Sequence, residues 1–399
     1  MIDARAARND PDEYRRRLAR KGAADAFDAW LAADEAWRML VPRVDELRAR
    51  TKVKGKPTSA QLEELRTVKE ELQQAERELA AAEAARDEAL AQVPNPPDDS
   101  VPDGFTEEDA VELRRVGEPV QPAEPKEHTE IGRFDMERAA RLSGSRFGYL
   151  LGDTALLALA LYRFALDTAV AHGHVPMLPP VLVREEAMYG TGFFPTDRTN
   201  IYAIESDELY LTGTSEVALA GLHMGEILEA DELPLRYTAF STCFRREAGA
   251  AGKDTRGMFR VHQFNKVELF AFCEPDASAA EHERLVAIEE EILQGLGLPY
   301  RVVDVAAGDL GAPAVKKIDI EGWFPFQERY RELTSASNTT DFQARRLGVR
   351  YRTGKGLEPV HTLNGTATTD RTVLAILETF QGEVPDVLKR YGAPERVRR

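Results

Sequence analysis

The chain has 399 residues, 43% of them apolar and 30% charged, with a formal net charge of −16. That length implies two or three domains with ample core. The acidic excess excludes indiscriminate binding to a polyanion, and two cysteines, Cys243 and Cys273, exclude a disulfide framework or a four-cysteine zinc site.

The opening "MIDARAARNDPDEY" is polar and carries no secretory pattern. The longest apolar stretch, "ALLALAL" at 155–161, falls short of the ~20 residues a membrane span needs. A cytoplasmic location without membrane association is expected.

Trp30, Ala33, Trp37, Leu40, Val44 and Leu47 recur at spacings of three and four. A second series, Leu65, Val68, Leu72, Ala75, Leu79, Ala82 and Ala89, does the same and is interrupted at Arg86. Each is a heptad seam on one helix. Between them "TKVKGKPTS" turns the chain, and Thr58 with Gln61 has the spacing of a capping box. The prediction is an antiparallel coiled-coil hairpin over about 29–92 that projects into solvent, with a second helix near Ser59–Gln92 about 50 Å long. Pro42 predicts a bend in the first helix. Arg48, Arg50, Lys52, Lys54 and Lys56 make the tip basic, the local patch that phosphate-backbone contact requires.

"VPNPPDDSVPDG" at 93–104 cannot continue a helix, so the reading is an N-terminal domain over 1–103 and a second over 104–399. Strand signals follow at 207–213, 236–247, 258–272 and 329–337, with helices expected near 153–172, 275–296 and 369–382. Neither GxGxxG after a strand nor GxxxxGK[ST] occurs, so neither common phosphate loop is signalled. Strands joined by short loops predict an antiparallel sheet packed by helices, an α+β class. In "FRREAGAAGKDTRGMFRVHQFNKVELF" at 244–270, alternation places Arg245 with Glu247 on one strand face. It places Arg260, His262, Lys266 and Glu268 on another, together with Phe264 and Phe270. Either this is a solvated edge hairpin, or the charges line a cleft for a charged, planar ligand.

That stretch, about 240–272, resembles motif 2 of the class II aminoacyl-tRNA synthetases. "LNGTATTDRTVLAILE" at 363–378 resembles motif 3, and "ALYRFALDTAVAHGHVPMLPPVLV" at 160–183 resembles motif 1, the dimer-interface element. "SGSRFGYLLGD", "MYGTGFFP", "TSE" at 214–216, "VHQFNKVEL" and "SNTTDFQARRLGVRYR" narrow the resemblance to the seryl-tRNA synthetase family, which also carries the coiled-coil arm. The resemblance spans nearly the whole chain.

It implies an ATP-dependent ligase that forms seryl-adenylate from L-serine and passes serine to the 3′ end of tRNA(Ser), as a homodimer. By this likeness Arg245 contacts the α-phosphate and the serine carboxylate, and Arg371 holds the γ-phosphate. Arg246, Glu247 and Val261 surround the adenosine, while Glu332, Leu333, Thr334 and Ser335 contact ATP, with Glu332 helping to hold Mg²⁺ and zinc not expected. Thr214, Ser215, Glu216, Glu268 and Thr366 receive serine. The basic tip grips the tRNA body and its long variable arm, reading shape through the backbone. His262 is read as a packing histidine, and Arg345 and Arg346 as facing either tRNA or the dimer partner.

The chain departs from the family at several points. Asp370 stands before Arg371 where relatives usually carry a small neutral residue, and a carboxylate there opposes ATP unless it points away or joins the metal site. Arg246 replaces a common serine, Asn265 a frequent aspartate and Ala336 a frequent cysteine. These departures leave two alternatives beside the main reading: a divergent paralogue serving antibiotic resistance or biosynthesis, or a non-catalytic tRNA-binding protein.

Overall fold

The computed structural model describes all residues except 53–57, 249–251 and 253–256. Two compact units are present, Met1–Pro96 and Pro97–Arg399.

In the first unit, helices Ala24–Arg50 and Ser59–Gln92 form the predicted hairpin. Val44, Leu47, Val68 and Ala75 make its dry seam, with Leu72 and Leu79 packed alongside. Thr58 and Gln61 form the reciprocal capping box that satisfies the first free N–H groups of the second helix. The first helix continues through Pro42 without a break. The interruption of the second seam has a cause: the Arg86 guanidinium lies 4.1 Å above the Trp37 ring, filling with a cation–π contact the place of an aliphatic residue. At the base, Ile2, Leu18, Phe27, Trp30, Leu90 and Val93 form a separate core. There the buried Asp34 carboxylate is paired with Arg8 and Arg38, each at 2.9 Å.

The second unit is built on an eight-stranded sheet. Its strands, in chain order, are β1 (Val111–Val116), β2 (Val175–Met177), β3 (Leu235–Phe244), β4 (Gln263–Cys273), β5 (Tyr300–Asp304), β6 (Lys316–Phe324), β7 (Arg329–Thr340) and β8 (His361–Thr369). Their order across the sheet is β1-β5-β6-β7-β8-β4-β3-β2, antiparallel throughout except where β2 runs parallel to β3.

Period-two alternation decides what each face does. Val267, Leu269 and Ala271 on β4, Ala336 on β7 and Leu363 and Ala367 on β8 join the core formed with helices Asp153–Ala171, Ser278–Leu296 and Asp370–Phe380. Fully burying each large aliphatic side chain there is worth about 1.5–3 kcal/mol. The intervening residues, including Phe264, Lys266, Ser335, Ser337, Asn364 and Thr366, line a cavity. Helix Asp153–Ala171 is long and apolar enough to cross a membrane, but Leu157, Leu161, Phe164 and Ala165 on its inner face are buried in this core.

Candidate active site

The cavity has a volume of about 480 Å³. At one end stand the two arginines of the hairpin and of the last long helix. Arg245 follows β3, and its backbone N–H donates to the His262 carbonyl at 2.9 Å. Its Nε donates to the Gly213 carbonyl at 3.2 Å, and its guanidinium lies 5.1 Å from the centre of the Phe264 ring. Arg371 lies in the first turn of helix Asp370–Phe380, where the Thr369 hydroxyl caps its N–H at 3.2 Å. Its guanidinium sits 4.9 Å from the Phe259 ring centre. Both arginines line this one cavity although 126 positions separate them in the chain.

Strand alternation alone misplaces part of the hairpin. β3 ends at Phe244 and β4 begins at Gln263, so Arg245, Glu247, Arg260 and His262 lie beyond the ladder rather than on its faces. Beyond the ladder the chain turns, and Glu247 takes a φ of +53°, outside the extended region. Glu247 still lines the cavity and pairs with Arg260. Arg246 does not; its N–H donates to the Asn200 carbonyl and its guanidinium lies 5.8 Å from the Tyr202 ring centre. His262 bonds through Nδ1 to the Arg245 carbonyl, which makes it a brace of the hairpin.

On β7, Glu332, Leu333 and Ser335 line the cavity while Thr334 is buried behind them. Leu333 joins its neighbours because the β6–β7 register slips between Ile320 and Glu321, opposite it. Arg371 Nη1 donates to Glu332 Oε2 at 3.4 Å and to its carbonyl at 3.3 Å. Shielding from water works against a charge on Glu332, but Lys317, Arg371 and Arg245 outweigh it and hold the carboxyl at about 2. Burial lowers the Arg371 guanidinium below its ordinary value.

The other end is a buried polar cluster. Thr214 Oγ1 donates to Glu268 Oε2 at 3.2 Å, and Glu268 forms an ion pair with Lys266. Glu216 Oε1 accepts from Gln343 Nε2 at 2.7 Å and from Asn364 Nδ2 at 3.0 Å. Burial, reinforced by Glu268, raises Glu216 to about 7. Thr214, Glu216 and Thr366 line the cavity. Ser215 is buried away from it, and Glu268, 1% exposed, lies behind the Lys266 side chain. Expected as a direct ligand, Glu268 is thus one layer back, because Lys266 on the same strand face is long enough to cover it.

The residues matched by family models agree with this geometry. The class II tRNA synthetase core domain (G, H, P, S and T) matches residues 201–380, and the seryl-tRNA synthetase N-terminal domain matches 1–97. The serine–tRNA ligase of Acidothermus cellulolyticus is 49% identical, over 98% of each chain.

The chain belongs to the seryl-tRNA synthetase family.

It is accordingly an aminoacyl-tRNA ligase of class II. Two solved family members are also similar along their whole length. The seryl-tRNA synthetase of Pyrococcus horikoshii, solved with ATP, has a TM-score of 0.93 at 38% identity, covering 100% of this chain and 99% of that one. The cytoplasmic serine–tRNA ligase of Naegleria fowleri, solved with AMP, has a TM-score of 0.87 at 33% identity, covering 97% and 95%.

Several cavity residues of this synthetase escaped assignment from sequence. Lys317 and Asn364 are the main ones, with Gln343 behind them on Glu216. Asn364 was within reach, since it shares a face with Thr366 two positions on. Gln343 was not, because its partner Glu216 lies far away in the chain. Arg346, expected to face tRNA or a partner subunit, instead bonds the Tyr189 and Phe194 carbonyls at 2.9 and 3.1 Å within its own unit. Arg345 pairs with Asp341 at 2.6 Å.

The residues present fit a divalent cation held mainly by phosphate oxygens. Glu332 is ionised, its side chain is 45% exposed to the cavity, and Ser335 lines the same wall. One carboxylate beside a hydroxyl suits Mg²⁺, which keeps several waters and substrate phosphates as ligands. Among the described residues no group of three or more His, Cys, Asp or Glu side chains could hold a metal on its own.

Proposed function

We propose that the protein joins L-serine to the α-phosphate of ATP, releasing pyrophosphate, and then transfers the seryl group to the 3′ end of tRNA(Ser). The observation that carries this reading is the meeting of Arg245 and Arg371 at one end of a cavity whose other end offers Thr214, Glu216, Asn364 and Thr366. Attack of a carboxylate oxygen on a phosphate brings two anions together, so fixed cations and alignment do most of the catalytic work. Arg245 binds the carboxylate and the α-phosphate with its bidentate fork. Arg371 holds the γ-phosphate. Glu247 and Val261 take the adenosine; Leu333 and Ser335 line the nucleotide end. Arg246, Thr334 and Ser215 support these positions from behind. Glu332, with Ser335, holds Mg²⁺, which neutralises phosphate charge when bound.

Serine is received by its ammonium at Glu216 and by its hydroxyl through Thr366 and the Thr214–Glu268 pair. A site that hydrogen-bonds a hydroxyl rejects analogues lacking it far better than an apolar pocket rejects a methyl group. In the second step the terminal 3′-hydroxyl attacks the activated carbonyl and AMP leaves.

The hairpin tip receives the tRNA body and its long variable arm. Arg48 lies 3.0 Å from Glu76 and Arg50 3.9 Å from Glu71, exposed pairs worth ~0–1 kcal/mol that phosphates displace. Lys52 follows them on the surface. Lys54 and Lys56 lie outside the described residues.

A homodimer is supported by Leu156, Leu159, Val170, Val175 and Leu178 on the motif 1 helix and the strand after it, which leave 43–82% of their surface exposed. Apolar exposure of this kind, repeated on one helix and the segment after it, is what an interface covers. We place the protein in the cytoplasm.

ATP–pyrophosphate exchange with each of the twenty amino acids tests the reading. Exchange driven by serine is expected, and a flat panel would sink it.

A further inference from the structure

Asp370 opens the helix that carries Arg371 and lines the cavity beside it, but both of its carboxylate oxygens are taken by protein donors. Oδ1 accepts from the Tyr162 hydroxyl, and Oδ2 accepts from the backbone N–H of Asn265 at 3.1 Å. The Asn265 side chain in turn accepts from Thr242 Oγ1 at 3.0 Å. Tyr162 belongs to helix Asp153–Ala171, Thr242 to β3 and Asn265 to β4. One buried carboxylate therefore ties the start of helix Asp370–Phe380 to helix Asp153–Ala171 and to β4, whose Asn265 in turn holds β3.

The ladder explains why an acceptor is needed there. β8 ends at Thr369, which pairs with Lys266, and the chain then turns into the helix. The Asn265 N–H, one position further along β4, meets no strand carbonyl. An unsatisfied donor at such a site costs ~1–3 kcal/mol. Asp370 supplies the missing acceptor and, in the first turn of the helix, its charge complements the helix dipole. Burial works against that charge and raises the carboxyl to about 6, while the bonds from Tyr162 and Asn265 pull it back.

We propose that Asp370 is a positioning residue for adenylation: by clamping the start of its helix to β4 and to Tyr162, it fixes the Arg371 guanidinium against Glu332 and Phe259. The inference rests on the adenylation reading above. The chain's unusual carboxylate beside the triphosphate site thus serves as a tie rather than a repulsive charge.

The test measures serine-dependent ATP–pyrophosphate exchange and the Kd for a non-hydrolysable ATP analogue in Asp370→Ala, Tyr162→Phe, Asp370→Asn and Arg371→Ala. Asp370→Ala should lower kcat/KM for ATP roughly 10- to 100-fold, as a displaced positioning group does, with KM for serine changed less than about twofold. Tyr162→Phe, which removes only a hydroxyl, should give a smaller loss of the same kind. Asp370→Asn keeps an oxygen for the Asn265 N–H and should restore most of the activity. In an Arg371→Ala background, Asp370→Ala should weaken analogue binding no further.

Equal losses for ATP and serine, or additive losses in the double variant, would overturn the proposal. Unaltered ATP kinetics in both Asp370→Ala and Tyr162→Phe would do so too. Should Asp370→Ala not fold, the Tyr162→Phe and Asp370→Asn pair decides by the same criteria. If the unaltered protein shows no serine-dependent exchange, the adenylation reading itself fails, a separate outcome.

Discussion

Arg371 and Glu332 face each other across the nucleotide end of the cavity, with Nη1 3.4 Å from Oε2. The pair is loose and partly exposed, so each partner keeps bonding capacity for a ligand. The arginine is the more demanding member. Its planar group also faces the Phe259 ring, an arrangement that the point charge of lysine cannot copy. Arg371→Lys should lower kcat for serine-dependent exchange by about 10²-fold, the usual loss on removing one transition-state donor. Steady-state exchange kinetics check this, and a change below threefold would remove Arg371 from the reaction.

Serine binding should depend on pH through Glu216. Its folded-state value of about 7 lies above the ordinary glutamate value of 4.5 because burial disfavours the charge. A raised carboxyl favours folding below 4.5, and that contribution is lost as pH rises through 7. Above 7 the ionised group is available to an ammonium. KM for serine should therefore rise as pH falls from 8 to 6, while Glu216→Gln should have a high KM throughout. The thermal shift produced by serine should likewise be larger at pH 8 than at pH 6. A serine KM independent of pH over that range would contradict the role given to Glu216.

Removing the hairpin, roughly residues 29–92, should spare serine-dependent exchange and abolish tRNA charging. The cavity residues all lie beyond Pro97, in the second unit. Parallel exchange and aminoacylation assays on the shortened protein check this. Charging that survives the deletion would refute the account of the arm.

Leu159, 61% exposed, and Leu178, 82% exposed, are the proposed centre of a dimer face. A carboxylate at an apolar contact has no partner and is costly to desolvate. Leu159→Asp or Leu178→Asp should shift the sedimentation coefficient from dimer to monomer while leaving the far-ultraviolet circular dichroism unchanged. An unaltered sedimentation profile in both would count against this face.

The Arg86–Trp37 contact should contribute on the order of 0.5–1 kcal/mol to the hairpin. Arg86→Ala should lower the melting temperature of the isolated N-terminal unit by a few degrees if that unit melts as one. Exchange activity of the full chain should not change. A hairpin stabilised by the substitution would show that Arg86 is only a fault in the seam.

The hairpin was legible because its signals are local. Thr58 and Gln61 cap the helix they begin, and the heptad seam of Val44, Leu47, Val68 and Ala75 reads directly as spacing. The sheet was legible in outline, although β7 runs three residues beyond the expected end at 337, to Thr340. Family likeness pointed to Arg245, Glu332 and Arg371, which the fold brings to one cavity. What escaped were the partners. Gln343 on Glu216, Tyr162 on Asp370 and Lys266 over Glu268 are relations that no period predicts.

Sequence by itself determined which residues are helical, which alternate on strands, and where proline and glycine end them, since each depends on neighbours within a few positions. Only the tertiary structure decided which charges meet. The register slip near Leu333 brings that side chain to the cavity wall, and burial raises the carboxyls of Glu216 and Asp370 while the cations around Glu332 outweigh burial and lower it. Those effects act through space over a few ångströms, between residues that the chain keeps far apart.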